Sequence, residues 1–243
     1  MSVAISSGHG LRIRGARGII DEVDEARRVT KRVAEMLRNA GVPAHVFHDD
    51  ISRTVSDNIG AIVRHHNRQK RNLDVSVHFN SSAGTHERGI GVETLYRRGN
   101  QQAHTLASRV SRTISEASGL ILRRGDGTWD RTDIGFLNQT TAPAILLEIC
   151  FVNSHTDVRL YRENFDGICR AAAVAISGQN IQGGINMDKL NFRIDGKEMQ
   201  FDGTVINDRT FIMPNDLVPA MGGTLSWEAA TGTRVILVME SFP

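Results

Sequence analysis

The chain has 243 residues, of which 40% are hydrophobic, and its 29 Lys and Arg nearly balance 27 Asp and Glu. This length supports one sizeable core with a small second domain beside it. The near-neutral charge excludes a dedicated nucleic-acid binder, which needs a concentrated basic face, and no apolar run is long enough to insert into a membrane. Two cysteines are too few for a disulfide framework or a thiolate zinc site.

Strand and helix patterns alternate along residues 1–178. Val3–Ile5 is an apolar run that opens into a Gly- and Arg-rich loop, Gly8–Gly18, and from Glu22 apolar residues recur at helical spacing until Gly41. The segments that follow read as strand, helix, strand, strand, helix, strand and helix: Ala44–Phe47, Thr54–Asn67, Leu73–His78, Gly91–Tyr96, Gln102–Ala117, Ala144–Phe151 and Asp157–Ser177. This alternation predicts an α/β domain with a mostly parallel, twisted sheet and helices on both faces.

A small second domain is predicted at the carboxyl end. Residues 179–186 are polar and Gly-containing, which is typical of a linker, and residues 187–243 show short alternating segments. Asp195-Gly196 is a turn signal and Pro214–Met221 has a helical pattern, so we predict a compact α+β module. Gln182-Gly183-Gly184 before Met187 can be encoded as a ribosome-binding site, which suggests that the gene also yields this module alone.

Three side chains able to do chemistry stand where predicted strands end. His9 follows the first strand, His78 ends the third, and Glu148 lies near the end of the apolar run Ala144–Phe151. The carboxyl ends of parallel strands meet at one edge of a sheet, so we expect these side chains to share a crevice. Glu22, on the inward face of the first helix, can reach the same crevice.

Two imidazoles and one carboxylate, with a fourth position left for water, form a catalytic zinc shell. We therefore predict that His9, Glu22 and His78 bind Zn²⁺. The ion lowers the pKa of bound water to about 7 and polarises a carbonyl, and a second carboxylate is needed to take up the proton. Glu148 is the predicted base, because an ionisable group in so apolar a run is costly unless it is paired, near a metal or functional.

Several alternatives stay open. Glu25 competes with Glu22 as the carboxylate ligand, although helical phase favours Glu22. The loop around Gly8-His9-Gly10 lacks the lysine of a phosphate-binding loop, and no serine or cysteine has the flanks of a nucleophile. We expect His65 and His66 to lie on a solvated helix face. The remaining histidines are taken as ordinary surface or core residues: His45, His48, His86, His104 and His155.

Four motifs, in order over residues 1–177, resemble those of the zinc-dependent N-acetylmuramoyl-L-alanine amidases of type 3, a family that includes phage endolysins and autolysins. Ser7-Gly8-His9-Gly10 resembles the family's Pro-Gly-His-Gly, and Glu22 falls at its glutamate ligand. Val75–Asn80 resembles its Ser-x-His-x-Asn, and Pro143–Asn153 its Pro-Ala-x-Leu-x-Glu-x-Gly-Phe. The chain departs from the family at His48-Asp49-Asp50, where Thr-Arg is usual, and at Cys150, where Gly is usual.

The resemblance implies a phosphorylase/hydrolase-like fold and hydrolysis of the amide between N-acetylmuramic acid and L-alanine in peptidoglycan. The tail resembles the small stalk domain related to the N-terminal domain of copper amine oxidases, which implies that it binds a cell-wall ligand or self-associates. The first ten residues show no signal-peptide pattern, so we expect cytoplasmic synthesis and action at the wall after release by a holin or by lysis, as in a phage or prophage endolysin. The alternatives are a zinc peptidase of the stem peptide and a non-catalytic wall-binding protein.

Overall fold

The structure is a computed structural model that describes residues 1–179, 181, 188–194, 197–206, 209–212, 217–219, 224–228 and 233–237. The chain divides into two compact units, Met1–Ile181 and Gln182–Pro243. No helix among the described residues is long and apolar enough to cross a membrane.

The larger unit alternates strands and helices as the sequence predicts. Its strands are β1 (Val3–Ser7), β2 (Ala44–Phe47), β3 (Leu73–Asn80), β4 (Glu93–Arg97), β5 (Thr128–Arg131) and β6 (Ala144–Phe151). Its helices are α1 (Glu22–Asn39), α2 (Val55–Arg68), α3 (Gln101–Ser118), α4 (Gly135–Gln139), α5 (His155–Glu163) and α6 (Phe165–Ser177).

The six strands form one sheet in the order β2-β1-β3-β6-β4-β5. Every neighbouring pair is parallel except β4 and β6, which run antiparallel. The predicted α/β class with a mostly parallel sheet is therefore confirmed. Because β4 runs against β6, the first residue of β4 lies beside the carboxyl end of β6, and this brings Glu93 next to Glu148.

Helices cover both faces of the sheet. One face packs against α1, α3, α5 and α6 in the main hydrophobic core, with Ile5, Val75 and Ile145 fully buried there. A smaller cluster on the other face packs Leu95 and Leu146 against residues of α2 and α4. Side chains alternate between faces along a strand, so Ser76, His78 and Glu148 lie on the same face as Leu146.

Three details differ from the sequence prediction. β5 and α4 were not predicted, and the single helix expected over Asp157–Ser177 is two helices that meet at Asn164. The Asn164 side-chain amide donates to the carbonyl of Leu160 (2.9 Å), which satisfies the end of α5. The expectation that His66 is solvated was wrong, because its side chain is completely buried and lies 2.9 Å from Asp74 Oδ1.

The smaller unit contains two antiparallel sheets. β7 (Asp188–Ile194), β8 (Lys197–Ile206) and β9 (Arg209–Ile212) form one, and β10 (Thr224–Glu228) pairs with β11 (Thr233–Leu237) in the other. Phe201 is buried and its ring lies 5.7 Å from that of Phe192. The turn Asp195-Gly196, Met187 and most of the predicted linker lie outside the described residues, as does Pro214–Met221 except residues 217–219.

Candidate active site

Four elements bring the predicted site residues together. β1 ends at Ser7, so His9 lies in the loop beyond its carboxyl end, and Glu22 is the first residue of α1. His78 lies near the carboxyl end of β3, opposite Glu148 of β6 in the parallel register. The four residues expected to share a crevice are therefore neighbours at one edge of the sheet.

His9, Glu22 and His78 each offer one ligand atom, and these three atoms lie within 4.8 Å of one another. Glu22 Oε1 lies 3.0 Å from His78 Nδ1 and 3.5 Å from His9 Nε2. Donors of a tetrahedral zinc ion, at 2.0–2.2 Å from the metal, are about 3.4 Å apart. The cluster therefore has the donor types and the spacing that a divalent cation needs.

Glu22 is held by hydrogen bonds as well as by the histidines. The backbone amide of Ala16 donates to its Oε2 (2.6 Å), and that of Phe79 donates to its Oε1 (3.2 Å). Burial would raise the pKa of Glu22, but the hydrogen bond to His78 and the charges of both histidines outweigh it and lower the pKa. Glu22 is thus a carboxylate at neutral pH, the form that binds metals.

The pKa values of the two histidines shift in opposite directions. Burial and the neighbouring charge of His78 lower the pKa of His9, which Glu22 only partly offsets. Burial would also lower the pKa of His78, but the hydrogen bond to Glu22, with the charges of Glu148 and Glu22, raises it. The carboxylates that raise the pKa of His78 would also favour a cation at this position.

Two glycines leave room for the cluster. A Cβ at Gly8 would overlap the His78 ring, and a Cβ at Gly15 would overlap Glu22 and the His9 ring. Gly15 also has a φ of +69°, in the left-handed region that other residues rarely adopt. The Gly-rich loop after β1 is therefore a packing requirement of the site.

The start of α1 fixes the position of Glu22. Asp21 is the N-cap and accepts from the Val23 amide (3.0 Å), while Arg14 donates to both of its carboxylate oxygens at 2.9 Å. Together these bonds tie the loop after His9 to the first turn of the helix.

Glu148 faces the same crevice but is not part of the cluster. Its Oε2 is buried and has no hydrogen-bond partner among the described residues. Burial raises its pKa to about 7, against the opposing charge of His78. A carboxyl group with a pKa near neutrality can both accept and donate a proton, which is what a general acid–base catalyst requires.

The alternative ligand Glu25 lies elsewhere. Its carboxylate accepts from the Tyr161 hydroxyl (2.6 Å) and pairs with Arg28 (2.6 Å), so it joins α1 to α5. His48 lies beside β1, where its Nδ1 is 2.9 Å from the Ser7 hydroxyl, and it is not a member of the metal cluster.

Sequence reasoning missed Glu93. This carboxylate is completely buried at the start of β4, beside Glu148 in the antiparallel register, and it accepts from Asn80 Nδ2 (2.8 Å). The signal was present, because Gly91–Tyr96 is an apolar run interrupted by one acidic residue, as is the run around Glu148.

A His–Glu–His cluster and a separate, partly buried glutamate lie at the carboxyl edge of an α/β sheet, an arrangement that is typical of metal-dependent hydrolases. The chain belongs to the N-acetylmuramoyl-L-alanine amidase family, whose sequence profile matches residues 3–177. This confirms the family that the four motifs indicated.

The chain also has curated relatives and solved structures that share the fold of the larger unit. An uncharacterized protein of Clostridium perfringens (strain 13 / Type A) is 32% identical over 189 residues, which are 75% of this chain and 53% of that protein. The chain thus spans about half the length of the curated relatives it matches. The catalytic domain of the CD27L endolysin targeting Clostridia difficile is similar with a TM-score of 0.66, 19% identity and coverage of 75% of this chain and 99% of that domain. For the N-acetylmuramoyl-L-alanine amidase AmiC2 of Nostoc punctiforme the TM-score is 0.60 with 27% identity, covering 73% of this chain and 96% of that one.

Proposed function

We propose that this chain hydrolyses the amide between N-acetylmuramic acid and L-alanine in bacterial peptidoglycan, with Zn²⁺ bound by His9, Glu22 and His78 and with Glu148 as the general base. The observation that carries the proposal is the grouping of three metal-type donors within 4.8 Å beside Glu148, whose buried Oε2 has no hydrogen-bond partner among the described residues. Membership of the amidase family supports the choice of substrate.

Two imidazoles and a carboxylate are the ligand set of many catalytic zinc sites. When bound, zinc supplies a nucleophilic water at neutral pH and polarises the substrate carbonyl. Glu22 is positioned for this role by the Ala16 and Phe79 amides, which fix both of its oxygens.

Glu148 would move the protons. A pKa of about 7 places it near the balance between its two forms, and a nearby cation favours the carboxylate. The carboxylate takes a proton from the attacking water and then donates it to the leaving nitrogen of L-alanine.

The bond that is cut can be identified by mass spectrometry of purified sacculi digested with the chain. An amidase releases peptides with free L-alanine amino termini and leaves the glycan free of peptide. A stem-peptide peptidase would leave muramic acid amidated, and a wall-binding protein would release nothing. Chelation should abolish the release and added Zn²⁺ should restore it; release of peptides that lack amino-terminal L-alanine would refute the proposed reaction.

We also propose the setting predicted from the sequence, lysis of a host cell by a phage or prophage enzyme, because an endolysin catalytic domain shares the fold of the larger unit. In that setting, the chain expressed inside a bacterium should lyse it only when a membrane pore is opened. Lysis without a pore would indicate another route to the wall. Wall binding or self-association by residues 187–243 belongs to the same proposal.

A further inference from the structure

A row of three ionisable side chains crosses the sheet at its catalytic edge. His78 of β3 is opposite Glu148 of β6, and Glu148 is opposite Glu93 of β4. Directly opposed residues place their side chains on the same face, and adjacent strands are about 4.8 Å apart. The metal cluster therefore lies on one side of Glu148, and Glu93 lies on the other.

Glu93 holds two consecutive arginines. Arg123 donates through a terminal nitrogen to Oε1 of Glu93, and Arg124 Nε donates to Oε2 at 3.0 Å. Glu93 is fully buried, whereas 29% of the Arg123 side chain and 38% of the Arg124 side chain are exposed. The buried carboxylate thus fixes two guanidinium groups whose outer edges face solvent.

Aromatic rings further immobilise both arginines. The Arg123 guanidinium lies 4.7 Å from the centre of the Phe151 ring, and that of Arg124 lies 3.8 Å from the Trp129 ring. Arg124 has a φ of +59°, the only positive φ among the described non-glycine residues. A strained backbone at a rigidly held, half-exposed cation is typical of a functional position.

The charges around the pair do not cancel. Arg131 pairs with Asp133 and Arg98 pairs with Asp130, whereas Arg123 and Arg124 share the single carboxylate of Glu93. Each guanidinium has five N–H donors, and within the described part of the chain the recorded hydrogen bonds use one donor of each. The remaining donors are available to an anion, and Arg123 is close enough to Glu148 that its charge opposes the rise in the pKa of Glu148 caused by burial.

We propose that Arg123 and Arg124, held on Glu93, form a subsite that binds a carboxylate of the peptidoglycan stem peptide on the leaving-group side of the scissile amide. The inference rests on the proposed function. With the reacting carbonyl between the metal cluster and Glu148, a substrate that continues across β6 reaches β4 after one or two strand spacings, which is about the length of two or three extended residues. That places the carboxylates of the second and third stem residues in range of the arginines.

The subsite predicts a preference for charged substrates. Soluble muropeptides that carry free carboxylates should have a kcat/KM at least about 10-fold above analogues in which one carboxylate is amidated. Amidation at the second residue and at the third residue, in separate substrates, identifies which carboxylate is bound. Arg123→Gln and Arg124→Gln should reduce the preference to about onefold, mainly through KM, because they remove ground-state binding of the carboxylate.

Matched variants distinguish recognition of the carboxylate from an effect of net charge and from a loss of folding. Arg98→Gln removes the same unit charge at the far end of β4 and should keep the preference, and Arg123→Lys should restore only part of it, because lysine lacks the planar fork. Thermal unfolding checks that each variant is folded; these side chains are partly exposed, whereas replacing the buried Glu93 risks the fold. An unchanged preference in folded Arg123→Gln and Arg124→Gln would overturn the proposal, as would a wild type without any preference.

A binding measurement tests the subsite independently of the proposed reaction. The free tripeptide L-Ala-γ-D-Glu-L-Lys, in which the glutamate side chain forms the amide to lysine and leaves its α-carboxylate free, should bind to the zinc-loaded full chain by calorimetry. The same peptide with that α-carboxylate amidated should bind about 10-fold more weakly. This difference should vanish in Arg123→Gln. If the chain cuts no muropeptide amide but shows the difference, the proposed reaction fails and the subsite stands. If cleavage occurs and neither carboxylate affects binding or kcat/KM, the subsite fails alone.

Discussion

Gly8 determines whether His78 can take its place in the metal cluster. A Cβ at position 8 would overlap the imidazole ring, and the ring has no free direction because Glu22 and Ser76 contact its two nitrogens at 3.0 Å. Replacing this residue therefore acts on a ligand without removing any donor atom.

Gly8→Ala should weaken zinc binding by about 10- to 100-fold. We expect displacement of a ligand to lower the zinc affinity as much as the loss of an outer-shell hydrogen bond does. Competition with a chromogenic chelator measures the change. Gly167→Ala is the control, because its Cβ would make only ordinary contact with α3, at 3.5 Å from Ala117 O. Equal zinc affinity in Gly8→Ala and wild type would contradict the packing account.

Among single residues, the sequence predicts those site residues whose type is unusual for their surroundings. Glu148 in an apolar run and His9 and His78 at strand ends could be selected from the sequence alone, and the structure brings them together with Glu22. Glu93 was missed because its significance depends on β4 running antiparallel to β6, and the strand pattern does not specify that direction. The burial of His66 was missed because its partner Asp74 is on another element.

Glu22 is the first residue of helix α1. The backbone geometry at the start of the helix therefore fixes the position of a proposed metal ligand. Asp21 caps the helix and forms an ion pair with Arg14. The Arg17 guanidinium lies 2.9 Å from the same carboxylate. Thr54 plays the same capping part for α2, accepting from the Asp57 amide at 3.1 Å, but α2 carries no residue of the cluster.

Asp21→Ala should lower the free energy of unfolding by about 0.5–2 kcal/mol, as the loss of an N-cap does, and should also weaken zinc binding because Glu22 loses its fixed start. Thr54→Ala should cost a similar free energy and leave zinc affinity unchanged. Denaturant unfolding and zinc titration on both variants make the comparison. A loss of zinc affinity in both would mean that the effect follows stability and not the helix start.

The elements themselves were largely predictable from periodicity and stop signals. Ala44–Phe47 and Ala144–Phe151 match their predicted bounds, and the start of α1 at Glu22 was also correct. β5 and α4 were not predicted because they are four and five residues long, too short to show a period, and their conformation depends on pairing with β4 and packing on α2.

The whole molecule consists of two units, and the family profile ends at residue 177, before the second begins at Gln182. All four site residues and the Arg123–Arg124 pair belong to the first unit. The roles predicted for the second unit, wall attachment or self-association, concern where the chain would act.

A chain ending at Ile181 should fold and cleave soluble muropeptides with a kcat/KM within about twofold of the full chain, because domains of this kind carry their own core. Its binding to sacculi should be weaker, since a second attachment point raises the effective concentration at the wall. Sedimentation with sacculi measures binding, and the muropeptide assay measures rate. Loss of soluble activity in a folded truncated chain would mean that the second unit takes part in catalysis.

The central claim is that metal binding and proton transfer are carried by different glutamates, and it is tested most directly by measuring zinc content and amide cleavage on the same samples of Glu148→Gln. We predict about one zinc per chain, as in wild type, and a rate lower by about 10²- to 10⁴-fold. Glu22→Gln should lose zinc and activity together, and Glu116→Gln, on the exposed face of α3, should lose neither. Wild-type cleavage by zinc-loaded Glu148→Gln, or loss of its zinc, would contradict this division of roles.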